Sequence, residues 1–178
     1  RDTPYIFPPC VQDYLPDDHL ARFVVEIVEQ LNLSHLSAVY SGRGSKPFHP
    51  ALLVALLFYG YATGVFSSRK LEKATYDSIA FRYICANTNP DHDTIASFRK
   101  RFLKELEALF VEILVVAEAM GLVKLGTVSL DGTKIKANAS KHKALSWDYA
   151  NRLEAQLNQE VEELMRLAEE ADQYSRPE

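Results

Sequence analysis

Asp131 is the residue with the most chemistry to offer. It follows Thr127-Val128-Ser129-Leu130, a strand-forming run, and precedes Gly132 and then Thr133, Ile135 and Ala137, which alternate with Lys134 and Lys136. Strand, Asp-Gly turn and strand predict a hairpin. A carboxylate at the end of a strand is held by stiff backbone and projects to the sheet's edge. Mg²⁺ takes hard oxygen donors through one or two carboxylates plus substrate phosphates, so Asp131 is a candidate metal ligand. Lys134, Lys136, Lys141, His142 and Lys143 follow closely and could meet a phosphate backbone. The same Asp-Gly pair also serves as an ordinary hairpin turn, and the pattern alone favours that plainer reading.

Positive charge is the second chemical signal. Between Gly42 and Lys104 ten Lys and Arg residues stand against four acids, a local balance of +6. From Trp147 to Glu178 nine acids stand against three Arg residues, a balance of −6, and the whole chain carries −4. A basic block is a footprint for a polyanion, and an acidic total does not exclude one. Arg43 and Lys46 lie in Ser41-Gly42-Arg43-Gly44-Ser45-Lys46-Pro47, a flexible basic loop. Its two glycines could cradle a phosphate, but the loop lacks the Gly-Lys-Ser/Thr ending of a nucleotide site and also reads as a solvated linker. Arg69, Lys70 and Lys73 fall on one predicted helix, with Arg69 and Lys73 on a shared face. Arg99, Lys100 and Arg101 fall on another. The run Asp91-His92-Asp93 suggests helix capping by Asp93 rather than a metal site, because adjacent loop residues rarely converge on one ion.

The elements that must hold these residues are mostly helical. Arg1–Asp18 is proline-rich and reads as an extended arm. Asp17 or Asp18 could cap a helix from His19 to about Leu31, where Leu20, Phe23, Val24, Ile27, Val28 and Leu31 recur at helical spacing. Pro50 suits a first turn, and Ala51–Ala62 is apolar nearly all round, which predicts a buried central helix ended by Gly64. Helices over Arg69–Tyr76 and Ile79–Cys85 follow, with Ser67 or Ser68 and then Asp77 or Ser78 as caps. Three short helices joined by tight turns suit a helix-turn-helix arrangement, and equally a generic bundle with a solvated basic face. A helix from Thr94 towards Met120, with a break near Leu103–Glu107, ends at Gly121. After the hairpin, Trp147 to about Tyr174 forms a long amphipathic helix. Its seam, Leu153, Leu157, Val161, Leu164 and Ala168, wants a partner helix inside or outside the chain.

Composition narrows the classes further. At 47% hydrophobic and 25% charged, the 178 residues match a globular chain rather than a disordered one. The longest apolar run is shorter than a bilayer needs, so no membrane association is expected. Cys10 and Cys85 match no metal spacing and suit a reducing cytoplasm.

Several blocks, in this order, carry a family resemblance. They are Gly42-Arg43-Gly44 to Pro50, Leu57-Phe58-Tyr59-Gly60-Tyr61-Ala62-Thr63-Gly64, Ser67-Ser68-Arg69-Lys70-Leu71-Glu72, Ile79-Ala80-Phe81-Arg82-Tyr83, and Asn89-Pro90-Asp91-His92-Asp93-Thr94-Ile95 with Phe98-Arg99. Gly121-Leu122-Val123 and Val128 to Ser140 complete the set. Together they resemble the N-terminal half of bacterial insertion-sequence transposases of the DDE class, over nearly the whole chain.

The resemblance implies a helical domain over 1–122 that binds double-stranded DNA at terminal inverted repeats. It implies the first hairpin of a ribonuclease H-like catalytic domain over 123–145, and an acidic helical insertion over 146–178. The expected fold is therefore mainly α, with a helix-turn-helix-like bundle, a β-hairpin that starts a sheet, and a long amphipathic helix. Asp131 matches the first carboxylate of the Asp-Asp-Glu set, which holds Mg²⁺ for strand cleavage and transfer in the complete enzyme. The second Asp and the Glu are not matched here, so the chain is expected to be the front part of a longer transposase. The alternative is a non-catalytic DNA-binding module, or an inhibitor that pairs with intact transposase through 147–174, the helix also expected to support self-association. A helical interaction protein with no nucleic-acid role is a third reading.

Overall fold

The computed structural model describes residues 10–37, 48–119 and 147–174. Their regular structure is helical: after a 3₁₀ turn at Val11–Tyr14 come α1 (Leu20–Gln30), α2 (Ser34–Ser37), α3 (Pro50–Ala62), α4 (Ser68–Asp77), α5 (Ile79–Ile84), α6 (His92–Arg101), α7 (Leu103–Ala119) and α8 (Trp147–Tyr174). Among the described residues there is no strand and no sheet, which corrects the expectation of a hairpin opening a ribonuclease H-like sheet. The physical reason lies in the core: its buried side chains come mainly from the helices, which cover one another's apolar faces without a sheet. Residues 123–145, which carry the hairpin pattern, lie outside the described residues. The mainly α part of the expectation holds.

The centre is α3. Leu53, Val54, Leu56 and Leu57 are almost fully buried, as expected of a helix with no polar face. Pro50 occupies the first turn, where its missing N–H costs nothing, and the His49 Nδ1 accepts from the Ala51 N–H at 3.2 Å. Aromatic rings carry α3 into its neighbours. Phe58 meets Phe110 of α7 edge-on at 5.1 Å, and Tyr59 meets Phe81 of α5 at 5.0 Å. Gly64 ends the segment at φ +79°, a conformation that glycine adopts without a Cβ clash.

On one side of α3 lies α1, which buries Ala21, Val24, Ile27 and Val28. Its N-cap is His19 rather than Asp17 or Asp18, with Nδ1 accepting from the Ala21 N–H at 3.1 Å. Arg22 holds the preceding 3₁₀ turn by donating to the carbonyls of Gln12 (2.7 Å), Leu15 (3.0 Å) and Pro16 (3.0 Å).

Ser78 alone separates α4 from α5. The break expected near Leu103–Glu107 in the helix from Thr94 falls at Phe102, whose ring is buried against Phe98 at 5.1 Å while the backbone leaves helical geometry. The seam of α8 finds its partner inside the chain: Leu157, Val161, Met165 and Ala168 are buried, and α8 packs along α7. Leu157, Val161 and Met165 each contribute about 1.5–3 kcal/mol when taken from water. No described helix is long and apolar enough to cross a membrane.

Candidate nucleic-acid interface

The basic residues of α4 point outward. Arg69, Lys70, Lys73 and Tyr76 are exposed, while Ser68, Leu71 and Thr75 are buried. Arg69, Lys73 and Tyr76 follow i, i+4, i+7 spacing, so two cations and an aromatic ring form one ridge with Lys70 beside it. Among the described residues none of these three cations is ion-paired. Tyr76 is 59% exposed and Ile79, at the start of α5, 44%, so the ridge ends in an apolar tip.

The opposite side of α4 is fastened down, which is why the ridge faces solvent. The Glu72 carboxylate accepts from the His92 backbone N–H at 3.2 Å and lies 2.6 Å from His92 Nδ1. Asn89 Nδ2 donates to Thr75 Oγ1 at 3.0 Å, and that hydroxyl donates to the Glu72 carbonyl at 2.7 Å. These contacts tie α4 to the start of α6. The cap of α6 is Asp91, not Asp93: its carboxylate accepts from the Thr94 N–H and hydroxyl, both at 2.8 Å. The Thr94 amide and hydroxyl hold the Asp91 carboxyl below the ordinary carboxylate range. Among the described residues no group of three His, Cys, Asp or Glu side chains is arranged to hold a metal.

The cations of α6 divide into two kinds. Arg101 is exposed, with its guanidinium 5.4 Å from the Phe102 ring, and Lys100 is exposed but shares Glu169 of α8 at 3.3 Å. Arg99, expected in the DNA-facing set, is only 1% exposed. Its guanidinium donates to Asp172 (2.8 Å), Glu169 (3.0 Å), the Ala168 carbonyl (3.2 Å) and Tyr61 Oη (3.4 Å). This joins α3, α6 and α8 and leaves no donor face for a phosphate on the surface. Burial acts against the charge of Arg99, but the oxygens around it more than offset that, so it stays protonated. Burial pushes the Tyr61 hydroxyl up to about 12, so it remains a neutral partner. Burial also raises Glu169, yet the hydrogen bonds from Arg99 and Lys100 win and leave it lowered overall.

Asp172 has a second role at this junction. Its Oδ1 accepts from the Ser68 N–H at 2.6 Å and its Oδ2 from the Ser68 hydroxyl at 2.7 Å, so a carboxylate of α8 caps the first turn of α4. Sequence reading misses this contact, since the partners are 104 residues apart and no local motif links them. It also misses Tyr76, whose exposure shows only once the buried face of α4 is known. Arg43, Lys46, Asp131, Lys134 and Lys136 lie outside the described residues.

A family model described as "Transposase domain (DUF772)" matches residues 9–101, more than half of the chain and nearly all of it up to the end of α6. No curated protein and no solved structure matches the chain.

Proposed function

The chain belongs to the transposase domain (DUF772) family and its function is tied to transposition, and from that premise we propose that it binds double-stranded DNA at the terminal inverted repeats of an insertion element. The observation that carries the reading is the ridge of α4, where Arg69, Lys70 and Lys73 stand exposed beside Tyr76. Cations on one rigid helix can neutralise successive phosphates, and an aromatic tip can pack on sugar or base. Lys100 and Arg101 of α6 extend the surface, and Arg43, Lys46, Lys134 and Lys136 are the further cations assigned to it. Arg99 supports the surface from behind rather than touching DNA. Asp131 would supply one carboxylate of the Mg²⁺-binding set that cleaves and transfers strands in a complete DDE enzyme.

The test is gel retardation of labelled duplexes cut from the DNA bordering the protein's own gene, with scrambled duplexes as competitors. The wild-type chain retains the border duplexes preferentially, and a triple Arg69→Ala, Lys70→Ala, Lys73→Ala variant of unchanged helicity does not. Equal retention by the triple variant removes α4 from the interface.

A further inference from the structure

Resting on the DNA-binding reading, we propose that Asp172 is a positioning residue for nucleic-acid recognition, setting the start of α4 from the far end of the chain. The argument begins with what α4 lacks. Its first turn contains Arg69 and Lys70 and no acid, and the side chain of its N-cap residue, Ser67, makes no capping bond. Cations near a helix N-terminus oppose the positive end of the helix dipole, so this sequence disfavours starting a helix where it does. A local Asp cap would cure that but would put a negative charge beside the residues meant for phosphates. The cap comes from α8 instead. Asp172 binds Ser68 through both carboxylate oxygens, at 2.6 Å and 2.7 Å, from the buried side. Its own charge is compensated by Arg99 at 2.8 Å. The helix therefore gains an anionic cap at its start, while Arg69, Lys70, Lys73 and Tyr76 stay on its outer face and the exposed acid of α4, Asp77, lies at the far end.

The junction is a fixture rather than a removable lid, because α8 also buries Leu157, Val161, Met165 and Ala168. One carboxylate, bonded to Ser68 of α4 and Arg99 of α6, thereby sets the relative placement of the two described helices that carry the proposed phosphate contacts. Sites built on rigid elements held by such supporting contacts keep their geometry.

The experiment compares wild type, Asp172→Ala, Asp172→Asn and Val161→Ala. Val161→Ala serves as a control for general loss of stability away from the junction. The probe is the fluorescein-labelled duplex from the gene's border, titrated by anisotropy. Both Asp172 variants are expected to bind about tenfold more weakly or worse, and Val161→Ala to stay within about twofold, a tenfold change in Kd being 1.4 kcal/mol. Asp172→Asn keeps the side-chain shape and serves if Asp172→Ala does not fold. A second readout needs no DNA. Backbone amides of residues 69–71 exchange hydrogen faster in Asp172→Asn, while those of α3 keep their protection.

Unchanged amide exchange overturns the positioning role whatever the DNA result. Undiminished or tighter binding by the Asp172 variants also overturns it, tighter binding meaning that the acid competes with phosphate. An equal loss in Val161→Ala reduces the effect to stability and overturns it too. Failure of the wild type to bind any duplex, with the exchange difference intact, sinks the DNA reading and with it the link to recognition, while the capping contact stands.

Discussion

Among single residues, Arg99 is the one whose loss should be felt most. It is buried with two carboxylates within 3.0 Å, so removing the guanidinium leaves Asp172 with no cation and Glu169 with Lys100 alone. Breaking a buried pair in this way costs about 3–5 kcal/mol. Arg99→Ala should lose that much in urea unfolding followed by helical circular dichroism. Arg99→Lys should recover only part, because one ammonium cannot reach Tyr61, the Ala168 carbonyl and both acids at once. A loss below 1 kcal/mol in Arg99→Ala would mean the pair behaves as a surface contact. Asp91 makes a smaller and separable contribution. Asp91→Ala should cost about 1 kcal/mol, the usual worth of an N-cap. Because the folded carboxyl titrates below its ordinary value of 3.8, the cap's stabilisation is present above that pH and lost as pH falls through the lowered value. The cost of Asp91→Ala should therefore shrink in strong acid, which the same unfolding series at falling pH would reveal.

Among the elements, α3 and α4 approach each other closely at Gly60. A Cβ on Gly60 would sit 2.3 Å from Leu71 Cδ2 and 3.2 Å from the Val65 carbonyl oxygen. Leu71 is fully buried, so its side chain has little room to withdraw. Alanine would gain about 1 kcal/mol of helix propensity over glycine, against about 1–3 kcal/mol for overpacking a tight core. Gly60→Ala is thus expected to be destabilising on balance and to displace α4, lowering Tm and weakening any DNA contact made by its ridge. A Tm above wild type would show that α4 can shift freely. The longer helices are legible in the sequence to within a few residues, whereas the 3₁₀ turn at Val11–Tyr14 and α2 fall in stretches that read as irregular. α3 announced itself by an unbroken apolar run, α8 by a seam of leucine, valine and alanine, and the end of α3 by Gly64. Caps were less legible: His19 and Asp91 take the places that Asp17 or Asp18 and Asp93 seemed to claim, since several residues in each run can cap and only the incoming chain direction selects one. The strand pattern around Asp131 says little about the fold as a whole, because alternation over a short stretch carries no information about whether a sheet exists to receive it.

Across the whole molecule, charge is sorted by element: cations stand on the outer side of α4 and the end of α6, and carboxylates crowd α8. The cationic ridge could be read from composition, but the meeting of α8 with α4 and α6 could not, since nothing local tells a surface glutamate from one that answers a buried arginine. That meeting governs the response to acid. Glu169 titrates below its ordinary value of 4.5, so its stabilisation is complete above that pH and is lost as pH falls through the lowered value. Glu107 on α7 runs the other way. Burial first, and then Glu162 of α8, raise it against the pull of Lys104, so protonating it on acidification favours the folded state. Glu169 and Asp91 act in the same direction and should outweigh Glu107, giving a stability that declines as pH falls below the ordinary carboxylate values through the lowered ones. Arg99→Met tests the origin of that decline. Without the guanidinium the burial of Glu169 is opposed only by Lys100, its carboxylate and that of Asp172 repel, and protonation becomes favourable to folding. The variant's urea midpoint should then stay level or rise over the same pH range in which the wild type's falls. A variant that keeps the wild-type slope would place the acid sensitivity elsewhere in the chain and would remove Arg99 as the charge that holds α8 against α6.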